Sequence, residues 1–261
     1  MTGSLDLLAP GIGDALVLTG TRVTGLMIVA PSLSSVIVPH KMRAGIVVLL
    51  TVLLTPIAMQ AQHAPHLSVM ALASEALVGF AIGFGASILV GAAEQAGDAM
   101  AVQTGLSGIA ILDPMASEPL PVLGSFMRLF ALTLLLTLNL HTVMISTLAE
   151  SLKAVPLGSA PHLVDGMRAL VMSATTMFAL GVRFAAPVIA VILVVNISLA
   201  VLGRAAPQLN VLSIAFPMQI AAGLFALAAA LPAIGIFFGG WDSVYHGLVA
   251  RSVAAFVSGG H

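Results

Sequence analysis

Apolar runs occupy almost the whole of this chain and are separated only by short polar breaks. Six of them, Leu5 to Ala30, Ala44 to Met59, Val69 to Ala93, Phe126 to Ala149, Ala169 to Leu202 and Val211 to Phe238, approach the ~20 apolar residues that a helix needs to cross ~30 Å of hydrocarbon. Charged side chains make up 7% of 261 residues, against roughly a quarter in a soluble domain. No soluble domain of ordinary size fits between the runs. The expected fold is an all-α polytopic membrane protein with about six hydrophobic helical segments, some broken or hairpin-like, forming a single membrane domain over residues 1–261.

Several segments depart from a plain crossing. The second is short and marked by Pro39 and Pro56. The fifth is too long for one simple crossing and carries Arg183 and Pro187 near its middle, where proline removes a backbone donor and bends a helix, so two half-helices are expected there. Residues 241–261 mix Tyr245, His246 and Arg251 with apolar residues and read as an interfacial C-terminal helix and tail. No positive charge precedes the first run before Arg22, so cleavage of a signal segment is not expected. Lys41 and Arg43 form the densest positive pair in a short loop, which points to a cytoplasmic first loop and an N-terminus outside.

Composition also removes function classes. A net charge of -1 without a Lys/Arg cluster provides no footprint for nucleic acid. Absence of Cys excludes thiolate metal sites, disulfides and thiol catalysis. No HExxH and no Walker-type glycine loop occurs. No enzyme activity, cofactor or metal is expected.

Four features remain. Glu75, Gly79, Gly83, Ser87 and Gly91 recur every fourth residue, a stripe of small groups headed by a carboxylate, suited to close packing within this chain or against a partner subunit. Glu75 and Arg183 are isolated charges in apolar segments; each costs at least ~2.5 kcal/mol to bury alone and needs a partner or water. Thr133, Thr137 and His141 share a face at helical spacing, where His141 suits either a hydrogen bond to a neighbouring helix or a proton relay. Gly105, Leu106, Ser107 and Gly108 match the short signature of rhomboid-type intramembrane serine proteases, but a packed helix should follow Ser107, and the sequence runs instead into Pro114, Pro119 and Pro121. Within Gly105 to Pro121, helix breakers alternate with Leu106, Ile109, Ile111, Leu112 and Met115, residues that avoid water. Irregular backbone at membrane depth is tolerated only inside protein or lining a wet cavity, so this segment is either a pore plug or a loop resting on a helix surface.

Three groups of residues resemble one family. Arg22 through Pro31, followed by Val38, Pro39, Arg43 and Pro56, are similar to the opening of the FliR-type flagellar export-gate proteins. His141, Leu148, Ser151, Pro156 and Gly158 fit the same family's spacing, and Gly203 through Val211 resembles its most recognisable segment. The resemblance implies an all-helical subunit packed into a helical multi-subunit export gate in the bacterial inner membrane, at the flagellar basal body. It implies FliP-like, FliQ-like and FlhB-like partners, unfolded export substrates and contact with membrane lipid. It also implies that the plug is Gly105, Leu106, Gly108, Ile109, Ile111, Leu112, Pro114 and Met115. Within the family segment, Arg204, Pro207, Gln208 and Asn210 read as a capped break between two apolar helices, Pro207 disfavouring helix at Ala206 and Asn210 suited to capping the next helix. The alternative from another class, a small-molecule or ion secondary transporter, calls for two internally similar halves, and no convincing repeat is present.

Overall fold

The computed structural model of the protein describes residues 11–31, 39–61, 66–106, 122–159, 162–206, 208 and 210–258. Among them are eight α-helices and no strand: α1 Ile12–Val29, α2 His40–Ala61, α3 Val69–Gln103, α4 Val122–Thr137, α5 Leu140–Ala154, α6 Leu163–Ala205, α7 Val211–Gly239 and α8 Trp241–Ser258. Five of them (α1, α2, α3, α6 and α7) are long and apolar enough to cross a membrane, and α4 with α5 makes a sixth if the bent pair counts as one span. An apolar chain in lipid has to satisfy its backbone internally, and helices do so within each segment.

Two expectations about breaks are corrected. The stretch from Phe126 to Ala149 is not one helix: α4 and α5 meet at a 66° bend. Asn139 stands there at φ 62, a left-handed conformation that asparagine adopts more readily than most residues. The fifth stretch, by contrast, does not split into half-helices. Its 43 residues form one helix with Pro187 inside it. Proline deletes one backbone hydrogen bond, and apolar surroundings penalise opening the ladder any further. Lys41 and Arg43 lie not in a loop but in the first turn of α2.

The chain divides into two compact units. The first comprises Met1–Ile88, Leu136–Thr175 and Asp242–His261, and therefore holds α1, α2, the first part of α3, α5, the start of α6 and most of α8. One of its buried clusters joins Val78 and Ala81 of α3 to Leu170 of α6 and Phe256 of α8. α8 buries Tyr245, Leu248, Val249, Ser252 and Phe256, a helical stripe on one face. Ser252 Oγ lies 3.2 Å from Ser173 Oγ of α6, and the Tyr245 hydroxyl donates to the Ile82 carbonyl at 3.3 Å. Burial pushes the Tyr245 hydroxyl above the ordinary phenol range, with a hydrogen bond to Thr147 pulling the other way.

The second unit comprises Leu89–Leu135 and Thr176–Trp241. Glycines set its closest approaches. A Cβ on Gly97 would overlap the Leu123 carbonyl at the start of α4, and one on Gly181 of α6 would press on the Gln95 side chain. Phe184, Phe237 and Phe238 pack edge-on and stacked between α6 and α7, with ring centroids 5.0–5.9 Å apart.

Candidate functional site

Glu75, an isolated charge in the sequence, has a partner in the first unit. Arg22 of α1 meets it with both prongs of its guanidinium: Nε donates to Oε2 at 2.5 Å and Nη2 to Oε1 at 3.0 Å. Both side chains are fully buried. Two further donors are also used, Nη1 on Ser151 Oγ at 3.2 Å and Nη2 on the Val155 carbonyl at 3.0 Å. Glu75 Oε1 accepts a further bond from the Gly158 amide at 2.8 Å. Gly158 is at φ 72, where a side chain would be strained, so glycine suits the turn that aims this amide at the carboxylate. A buried ion pair offsets its desolvation only when its geometry is good and its other hydrogen-bonding positions are filled, and here the bidentate pair carries three further bonds.

The small-residue stripe forms the seam beside this network. A Cβ on Gly79 would run into the Arg22 carbonyl, and one on Gly83 would sit 2.7 Å from the Leu26 carbonyl. On the facing helix, a Cβ on Gly25 would overlap the Ala76 carbonyl. Ser87 Oγ donates to the Val29 carbonyl at 2.5 Å. Glu75, Gly79, Gly83 and Ser87 thus face α1 of the same chain, at a separation only small residues allow. Gly91, the last of the stripe, falls in the second unit, where the Met177 thioether lies 3.0 Å from the place of its missing Cβ.

In the second unit the site of interest is the start of the segment from Gly105 to Pro121. Gly105 is at φ 77, and a Cβ there would crowd the Phe216 ring at 3.2 Å. The chain thus leaves α3 through a left-handed glycine lying against α7. Leu106 follows, partly buried. Gly108, Ile109, Ile111, Leu112, Pro114 and Met115 lie outside the described residues, as does Ser107. Nearby on the same α7 face, Gln219 Nε2 donates to Asn196 Oδ1 of α6 at 2.6 Å, and Gly223 leaves room for the Thr104 methyl.

The other singled-out residues are scattered. Arg183 is exposed on α6, its guanidinium carbon 6.0 Å from the centre of the Phe237 ring. Arg204 is exposed in the last turn of α6, Gln208 is exposed in the connection, and Pro207 lies outside the described residues. α6 ends at Ala205, and Asn210 occupies the N-cap position of α7. The Asn210 side chain makes no capping bond, however; the backbone carbonyl of Asn210 accepts from the Ser213 amide at 3.1 Å and from its hydroxyl at 2.7 Å. The bend at Asn139 separates His141 from Thr133 and Thr137, so no single helix face carries the three. Among the described residues no group of three or more His, Asp or Glu is placed to hold a metal ion.

Sequence reasoning singled out Glu75 but missed Arg22 as its partner, although one basic and one acidic residue, each deep in an apolar run, was the available signal. Ser151 and Gly158 carried no chemical signal, because what they contribute is one acceptor and one backbone amide. Three stretches far apart in the chain, around Arg22, Glu75 and residues 151–158, converge on this one network.

Comparison with known proteins points in one direction. The sequence matches the family described as bacterial export proteins, family 1, over residues 14–241. It is 33% identical over 219 residues to the flagellar biosynthetic protein FliR of Escherichia coli strain K12, covering 83% of this chain and 84% of that protein. It is 29% identical over the same length to FliR of Pectobacterium carotovorum, with the same coverage, and 27% identical over 233 residues to FliR of Caulobacter vibrioides, covering 87% and 91%.

Proposed function

We propose, because this chain belongs to the bacterial export proteins, family 1, and is a FliR-type flagellar export protein, that it forms part of the channel through which unfolded flagellar subunits cross the inner membrane. The observation carrying this reading is the similarity to flagellar biosynthetic proteins over more than four-fifths of the chain. Its working place is the basal body, in contact with FliP-like, FliQ-like and FlhB-like subunits and with lipid. The apolar faces of α2, α6 and α7, which this chain leaves open, suit burial against such neighbours.

A conduit for unfolded protein has to hold back ions when idle. The segment from Gly105 to Pro121 is the part of the sequence suited to this task. Its Leu106, Ile109, Ile111, Leu112 and Met115 are apolar enough for a narrow constriction to lose its water, and its glycines and prolines disfavour a regular helix. Gly105, at a φ open to glycine and strained for other residues, suits a hinge on which the segment swings when a substrate chain arrives. Gating of this kind needs no nucleophile, metal or cofactor on this chain.

Single-channel conductance of the assembled gate in planar bilayers tests the plug. Deleting residues 107–119 opens a steady ion leak that the intact gate lacks. Unchanged conductance in a gate of full composition overturns the plug while leaving the family assignment standing. A chain that purifies alone, without related membrane subunits, overturns the proposed gate itself.

A further inference from the structure

We infer that Phe216, Gln219 and Gly223 of α7, braced by Asn196 of α6, form a latch on the turn that ends α3, and that releasing this latch lets ions through the idle gate while the subunit stays folded. The inference rests on the plug proposed above and deepens it, naming residues of two other helices that hold the root of that segment, Thr104 and Gly105.

Residues 216, 219 and 223 are spaced three and four apart and so lie along one face of α7. All three meet the same short piece of chain. A Cβ on Gly223 would sit 2.2 Å from the Thr104 methyl, so α7 comes as near to the end of α3 as glycine allows. Thr104 is buried, and its hydroxyl donates to the Met100 and Ala101 carbonyls within its own helix, which leaves the methyl to face α7. One turn earlier along α7, Gln219 Oε1 lies 3.5 Å from the place of the missing Cβ of Gly105, and the Phe216 ring lies 3.2 Å from the same place.

The brace comes from α6. Asn196 Oδ1 accepts from Gln219 Nε2 at 2.6 Å, and one turn before it Ile192 reaches within 3.3 Å of the place of a Cβ on Gly223. With its nitrogen held by Asn196, the Gln219 amide turns its oxygen toward Gly105. Two amides facing each other between apolar helices are a costly way to fill space, since a pair of leucines would pack there without losing contact with water. What the amides add is direction. They fix one oxygen against Gly105, whose φ of 77 makes it the residue at which the chain turns out of α3. The contacts thus divide into two parts. Thr104 against Gly223 is a fixed pivot, and Gly105 against Phe216 and Gln219 is the part that lets go.

The test separates the two parts in the assembled gate. The chain has no cysteine, and Thr104 Cβ lies 3.3 Å from the place of a Cβ on Gly223, a few tenths of an ångström from the ~3.5–4.5 Å that a disulfide spans. Gates carrying Thr104→Cys with Gly223→Cys, oxidised and reduced, are compared with gates carrying Gln219→Leu, by ion conductance in planar bilayers and by secretion of flagellar subunits from cells. Gln219→Leu should raise the idle conductance about tenfold, the population shift that loss of one hydrogen bond brings, with the yield of assembled gate unchanged. Asn196→Leu should give the same rise, and the double variant no more, because the two side chains act through one bond. The disulfide should form and leave conductance and secretion as they were, since it joins the pivot. Phe216→Ala carries the comparison if Gln219→Leu fails to assemble. Unchanged idle conductance, additive effects of the two leucine variants, a disulfide that does not form, or secretion blocked by the oxidised disulfide overturns the latch. If a gate lacking residues 107–119 leaks while the latch variants stay tight, the plug stands and only the latch falls; if that gate is tight as well, the plug falls with it.

Discussion

Arg22 and Arg183 both lie within apolar helices of this protein, and the two units treat them in opposite ways. In the first unit, Arg22 is fully buried with its guanidinium spent on Glu75, Ser151 and the Val155 carbonyl. In the second, Arg183 is exposed on α6 and, among the described residues, has no hydrogen bond or ion pair, its guanidinium carbon lying 6.0 Å from the centre of the Phe237 ring. A charge satisfied inside its own chain joins helices of that chain. A charge left open on an apolar surface defines a requirement on something outside it. Removing the first should therefore cost folding, and removing the second should cost association.

The sharpest way to break the comparison is to remove one half of the buried pair. Glu75→Ala leaves Arg22 charged and buried without its main partner, and should destabilise the isolated chain in detergent by about 3–5 kcal/mol, read from denaturant midpoints. The double change Arg22→Met with Glu75→Leu, which removes both charges and keeps the volume, should recover most of that loss. A double variant as unstable as the single one would mean that the charges matter for something other than their mutual burial. Next in size, Gly79→Ala should cost about 1–3 kcal/mol, because the new methyl would drive α3 off the Arg22 carbonyl. Ser151→Ala removes one acceptor of a buried guanidinium and should cost about 1–3 kcal/mol, toward the lower end because two carboxylate bonds remain. Smallest of all, Arg183→Ala should shift the stability of the isolated chain by less than about 0.5 kcal/mol while reducing its recovery with partner subunits. A large loss of stability there would make Arg183 a structural residue like Arg22 and erase the difference between the two units.

How much of this was legible in the sequence varies with the range of the interactions involved. Lengths and positions of the apolar helices could be read directly, since about twenty apolar residues in a row leave little choice of structure. Breaks within them were harder. Pro187 looked like a division of the fifth segment and Asn139 like an ordinary residue of the fourth, yet the chain bends at Asn139 and continues through Pro187. Whether a proline ends a helix depends on what can satisfy the freed carbonyl, and that is settled by neighbours distant in sequence. The candidate site divides in the same way. The stripe from Glu75 to Gly91 is periodic and so visible, whereas its facing surface on α1, including Gly25 and the Arg22 carbonyl, has no local mark.

The sequence by itself determined that the described residues fold as apolar helices and that the few charges buried among them require partners. These follow from the cost of placing unsatisfied backbone or isolated charge in a medium without water, which depends on local composition alone. The tertiary structure decided which charge meets which. Arg22 and Glu75 are 53 positions apart, and Glu75 and the Gly158 amide 83, and only the close approach of α1 and α3 and the turn after α5 bring them within hydrogen-bonding distance. Hydrogen bonds act over about 3 Å, so their partners are chosen by packing in space rather than by order along the chain.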